Sequence, residues 1–249
     1  VITHVEQVMG TVASITVDPG EHGEAEARTA IAAACRVLHD ADAMFSTFRE
    51  DSALMRHRRG ELADVPAELL EVLELSSWAR RMTDGAFDPW AMPGGFDPTG
   101  LVKGWAAQRS MEQLRDADMT AAMVNAGGDI ACFGPKPWRI GVRDPADPEG
   151  FVCVAAVEAA IATSGGYERP GEILDPASRR TAALLEQATV VGPDLALADA
   201  LATALVVRGE EGLAMLDETA YEAVVVAADG RMLATAGFPI ATAAIAPVR

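Results

Sequence analysis

Around residue 200 the chain carries the run "GPDLALADALATALVVRG". Its Ala, Leu and Val residues predict a helix that is apolar on almost every side, and such a helix must be enclosed by other elements. Asp199 and Thr203 interrupt it. At i and i+4 their side chains lie one above the other on a single face. Asp is a poor residue for a helix interior, and an unpaired charge in apolar surroundings costs several kcal/mol, comparable with the net stability of a domain. A salt bridge or a capped loop above the helix can compensate it, or a bound cation can.

With 249 residues, half of them apolar, the chain can bury a core as one large domain or two small ones. A net charge of −17 argues against a phosphate-backbone partner, because nucleic-acid binding needs clustered Lys and Arg. Lys103 and Lys136 are the only lysines, and Lys103 stands out because it lies in a glycine-rich turn. Cys35, Cys132 and Cys153 are odd in number, widely spaced and set among apolar neighbours, which reads as buried reduced thiols rather than a disulfide framework or a zinc site. A reducing compartment, the cytoplasm, fits best. No stretch approaches the roughly 20 apolar residues of a membrane span. The chain starts at Val1, which leaves room for a removed leader.

"QVMGTVASITV" reads as a strand with a glycine break. In "EAEARTAIAAACRVLHDADAMF", Ala27, Ile31, Ala34, Leu38, Ala41 and Phe45 form the stripe of an amphipathic helix. The next segment, "STFREDSALMRHRRGE", is turn-rich, and its cluster Arg56, His57, Arg58, Arg59 reads as a solvated surface. Pro66 suits the first turn of a helix through "AELLEVLELSSWARRM". From Asp84 to Gly104 Gly and Pro abound without any period, and loops of this length in compact domains are usually functional. Beyond it come a helix in "KGWAAQRSMEQLRDAD" and short strands in "AAMVNAGGDIACFG", "WRIGVRD", "FVCVAAVEAAIATSGG" and "ATVVGP". After the apolar helix, "EEGLAMLDE" reads as another helix and "EAVVVAADGRMLATAGF" as a hairpin turning at "ADGR". Helices and strands alternate without a strict βα rhythm, so the fold class is α+β, with mixed or antiparallel sheets flanked by helices. No linker or repeat divides residues 1–249.

"DPTGLVKG" lacks the spacing and the hydroxyl of a Walker A motif, and "NAGGDIACFG" fails GxGxxG. The glycines of the latter permit close backbone approach, with Asp129 able to accept hydrogen bonds, or they form a plain turn. The histidines, His4, His22, His39 and His57, all lie in the first quarter of the chain, away from the glycine-rich segments. There is no serine triad, papain-like dyad or HExxH, which leaves catalysis to carboxylates and a hard cation.

Together "VMGTVASITV", "FSTFREDSAL", "DGAFDP", "FDPTGLVKGWA", "NAGGDI", "WRIGV", "AIATSGGYER", "ILDP" and "ADALATAL" stand in the order seen in the ApbE family, the FAD:protein FMN transferases. The resemblance covers nearly the whole chain. It implies one domain with an FAD cleft between subdomains, Mg2+ against the FAD pyrophosphate, and transfer of FMN to a Ser or Thr hydroxyl of an acceptor flavoprotein with release of AMP. It assigns the metal to Asp199 and Thr203, to the carbonyl of Gly100 and to a backbone position at Ala202. Met9, Phe48, Ala86, Phe87, Asp88, Asp97, Lys103, Thr163 and Ile173 correspond to positions that touch FAD. One departure stands out: where the family places a His thought to deprotonate the acceptor hydroxyl, this chain has Glu172, a weaker base at its unperturbed pKa near 4.3.

Overall fold

The computed structural model describes residues 1–166, 171, 173–182 and 184–243. It opens on strands β1 (Ile2–Val8) and β2 (Thr11–Asp18). Where the sequence suggests one broken strand there is a hairpin. Met9 (φ 55°) and Gly10 (φ 67°) both take positive φ, which turns the chain within two residues and sets Val8 against Thr11. Helix α1 (Glu24–Phe45) follows the predicted stripe, burying Ala27, Ile31, Ala34, Leu38, Ala41 and Phe45. Helix α2 (Ala53–Arg58) occupies the segment read as turns; Ser52 starts it by accepting a hydrogen bond from the Met55 N–H at 3.1 Å. Helix α3 (Ala67–Met82) follows Pro66. Helix α4 (Thr99–Asp116) begins inside the glycine-rich segment, and its backbone leaves helical geometry at Gly100 (φ −78°, ψ 20°).

Next come β3 (Ala121–Ala126), β4 (Asp129–Phe133), β5 (Trp138–Asp144), β6 (Asp147–Val157), β7 (Ala160–Gly165) and β8 (Leu185–Gly192). The apolar helix is α5 (Leu195–Arg208), capped by Asp194, whose carboxylate accepts from the Leu197 N–H at 2.9 Å. Glu210–Leu216 winds as 3-10 turns rather than the expected α-helix. Strands β9 (Glu222–Ala227), β10 (Met232–Ala234) and β11 (Ile240–Ala243) complete the described chain, β9 and β10 forming the expected hairpin.

Eight strands form one sheet in the order β1-β2-β3-β4-β7-β8-β9-β10, and three form another, β11-β6-β5; neighbours run antiparallel throughout. The fold is therefore α+β with antiparallel sheets. Period-2 alternation gives the large sheet two different faces. Ala131, Ala160, Ala162, Ala188 and Ala223 lie in the core beneath the helices, while Ile130, Cys132, Ile161, Val191, Val224 and Val226 pack against Val142, Val152, Cys153, Ala155 and Val157 of the small sheet. Small residues on one face let α5 settle closely on β7 and β8. Glycine does the same between helices: a Cβ at Gly104 would stand 2.6 Å from the Leu195 carbonyl oxygen. The Ser110 hydroxyl ties α4 to α1 by donating to the Ala34 carbonyl at 3.1 Å. Among the described residues no helix is long and apolar enough to cross a membrane.

Candidate active-site cleft

A cleft of about 570 Å³ opens where the helical layer meets one end of the large sheet. Its volume lies in the range of sites for small organic ligands. The β1–β2 turn, the end of α1, the loop before α4, the end of β7 and the cleft-facing side of α5 supply its walls. Met9, Phe48, Ala86, Phe87, Asp88, Asp97, Gly100, Lys103, Thr163, Ile173, Asp199 and Thr203 all line it. One described residue expected there does not. Ala202 is fully buried and off the cleft wall, because one residue before Thr203 it is turned about 100° around the helix. Glu172 lies outside the described residues.

Asp199 is 4% exposed, on the cleft-facing side of α5 with Thr203. The Thr203 hydroxyl is 3.1 Å from that of Ser164 at the end of β7. Gly100 approaches the same spot: a Cβ there would lie 3.2 Å from Phe87 Cε2 and 3.5 Å from Thr203 Oγ1. A carboxylate, two hydroxyls and a helix start with irregular backbone thus meet at one end of the cleft.

Lys103 reaches in from α4, its ammonium 2.6 Å from Asp129 Oδ2. Asp129 is completely buried, and its other oxygen accepts from the Thr163 N–H at 3.2 Å. It therefore positions Lys103 and β7 from behind the wall rather than meeting a ligand directly. The Thr163 hydroxyl is itself 2.9 Å from that of Thr189.

The two loop aspartates shape the wall they belong to. Asp88 accepts from the Trp90 N–H at 3.0 Å and from Arg80 Nε at 2.7 Å. Asp97 accepts from the Thr99 N–H at 3.1 Å and its hydroxyl, and pairs with Arg58 at 3.3 Å. Arg58, expected on a solvated surface, has a side chain only 11% exposed and also donates to the Phe96 carbonyl at 2.7 Å. It braces the loop because the loop folds back over α2. Below, the Thr83 hydroxyl accepts from the Phe87 N–H at 3.1 Å, fixing the buried Phe87 ring. Arg208, at the end of α5, donates to the Thr83 carbonyl at 3.3 Å and pairs with Asp84 at 3.0 Å, joining the loop to the helix that carries Asp199. Phe48 stands at the rim, 96% exposed.

Sequence reasoning missed Ser164, although it follows Thr163 in "ATSGG" and a run of hydroxyls before glycine was the available signal. It also missed Thr11, brought to the cleft by the β1–β2 turn, while Gly127, one of the glycines read as permitting close backbone approach, does line the cleft.

The same arrangement of elements is matched by known proteins. The model of the ApbE family matches residues 9–95 and 91–225. The chain belongs to the ApbE family. Among ApbE relatives, a Rhodobacter capsulatus protein named FAD:protein FMN transferase is 33% identical over 171 residues, 60% of this chain but only 32% of that one. A Vibrio cholerae protein of the same name is 26% identical over 261 aligned residues, 78% of each chain. This chain thus spans about a third of the first relative's length and about three quarters of the second's. Among solved structures, flavin transferase ApbE from Vibrio cholerae has a TM-score of 0.82 at 23% identity, over 95% of this chain and 97% of its own. The ApbE protein of Thermotoga maritima also has 0.82, at 22% identity, over 94% and 97%. At these identities the likeness is one of fold.

Proposed function

We propose that this chain transfers the FMN half of FAD to a serine or threonine hydroxyl of an acceptor protein, with Mg2+ as the metal and AMP as the leaving group. The meeting of Asp199, Thr203 and Gly100 at one end of the cleft carries this reading. The names of the relatives, FAD:protein FMN transferase, support it.

The donors suit the ion. Asp199 carboxylate, Thr203 hydroxyl and the Gly100 carbonyl are hard oxygens, and Mg2+ takes few protein ligands, completing its shell with water and phosphate oxygens. The gap that a Cβ at Gly100 would fill leaves space beside Thr203. The Ala202 carbonyl would remain a backbone contribution, since its side chain faces the core. When bound, Mg2+ supplies charge neutralisation for the pyrophosphate. Lys103, held by Asp129, adds a positive charge to the same end.

Phe87 and Met9 offer apolar surface to the flat ring system, and Phe48 a face for stacking at the rim. In transfer, the acceptor oxygen bonds to the phosphorus on the FMN side as the bond from that phosphorus to the AMP oxygen breaks. The hydroxyl proton goes to a base, for which the sequence offers Glu172. Incubating the protein with FAD, Mg2+ and a protein acceptor bearing Ser or Thr is expected to release AMP and leave the acceptor fluorescent. Normal FAD binding with neither product would sink the reading.

A carboxylate at the family His position supports a second reading, an FAD-binding protein without the transfer step. Gain of transfer in Glu172→His, from an inactive parent, is its signature. AMP and FMN appearing without an acceptor would instead mark an FAD pyrophosphatase.

A further inference from the structure

Away from the cleft, β1 and α1 bring together a different set of donors. His4 and Glu6 stand two apart on β1 and point to one face of the sheet, while Cys35 and His39 stand four apart on α1 and share one face of the helix. His4 Nε2 lies 3.1 Å from Glu6 Oε2, and His39 Nε2 lies 3.3 Å from Glu6 Oε1. The donor atoms of His4, Glu6 and Cys35 all fall within 4.8 Å of one another. Cys35 is buried, and the two imidazoles are about half exposed, so the cluster opens to solvent on one side.

We propose that His4, Glu6 and Cys35 bind a divalent transition metal of the zinc type, tying strand β1 to helix α1, while His39 holds the other Glu6 oxygen from outside the ligand set. The 3.1 Å from His4 Nε2 to Glu6 Oε2 is close to the edge of a tetrahedron, about 3.3 Å, built on metal–ligand bonds near 2.0–2.1 Å. Thiolate and carboxylate together balance a charge of +2, and the His4 imidazole binds neutral. Sulfur and nitrogen donors select zinc-like ions over Mg2+, so this site and the oxygen donors around Asp199 sort different metals. Three protein ligands leave the fourth position to water on the solvent side.

Without metal the same groups hold each other. Hydrogen bonds from His4 and His39 keep the Glu6 carboxyl below its usual range. Burial, and then the Glu6 charge, push the Cys35 thiol up. The beneficiary is the edge of the large sheet, since among the described residues β1 pairs only with β2 and turns Val5 outward. Widely spaced cysteines speak against a cysteine-only zinc site, and only the fold brings the other donors to Cys35.

Titration of the full chain with Co2+ tests the site. One equivalent is expected to produce a thiolate-to-cobalt charge-transfer band in the near ultraviolet, bleached by one equivalent of Zn2+ and indifferent to excess Mg2+. Cys35→Ser should remove the band. His39→Ala, at an exposed position, should weaken Zn2+ binding at least about tenfold, the lower end of what losing even an outer partner of a metal ligand costs. Melting curves without metal establish that each variant folds; if Cys35→Ser does not, His4→Ala takes its place, with the same tenfold loss expected. No charge-transfer band in the folded parent overturns the assignment. So does a band that survives Cys35→Ser, or a Zn2+ affinity unchanged by both histidine variants.

Discussion

Asp199 sits on a helix that is otherwise Ala, Leu and Val apart from Thr203 and the terminal Arg208, and both Asp199 and Thr203 face the cleft. If its purpose is to hold a cation, Asp199→Ala should cut Mg2+-dependent transfer at least about 100-fold, since losing an outer partner alone costs up to that much. Its melting temperature should stay within about 5 °C of the parent. A large fall in melting temperature would return Asp199 to a structural ion pair. Residues that break a pattern were the legible ones. Asp199 and Thr203 interrupt an apolar helix, and Lys103 is one of two lysines, so each announced itself. Asp129 was legible as polar but not in its role, because a partner on another element decides whether a carboxylate faces a ligand or holds a lysine. Ser164 gave little signal, since serine beside glycine is common in turns.

Elements with a full stripe were read almost to the residue: α1 and α3 span the predicted segments. Elements set by backbone conformation were not. The turn at Met9 and Gly10 escaped because Met is not among the residues that favour positive φ. Glu210–Leu216 departs from the α-helix where Gly212 packs tightly, a Cβ there standing 2.7 Å from Arg208 Cβ. Close packing between elements is likewise invisible in a pattern of polar and apolar letters. Gly104 shows this best, and Gly104→Ala is expected to destabilise the protein by about 1–3 kcal/mol through overpacking against Leu195. Urea unfolding measures it, and an unchanged midpoint would mean that α4 and α5 can part without cost.

At the scale of the molecule, two cores flank the large sheet, and two of the thiols lie between the sheets. Burial pushes the Cys132 thiol up to about 12 and raises that of Cys153. The sign follows from linkage: a raised thiol pKa leaves stability intact below the ordinary value near 9.0 and removes it as pH climbs toward 12. Alkylation of Cys132 and Cys153 at pH 8 should therefore be slow in the native protein and rapid in denaturant, with unfolding becoming easier above pH 9. Mass spectrometry of pulse-labelled protein reads both. Fast native labelling at pH 8 would mean that the small sheet detaches independently.

The alanines beneath the helices have a mechanical consequence. Ala160 and Ala162 on β7 and Ala188 on β8 form the bed on which α5 rests, and they set how low that helix rides. The height of α5 in turn fixes how far Asp199 stands from Gly100 across the seam with α4. These methyl groups never meet a ligand, yet they gauge the opening that a ligand must enter. A chain that exchanged one of them for valine would keep every polar group in the cleft and lose the calibration between them.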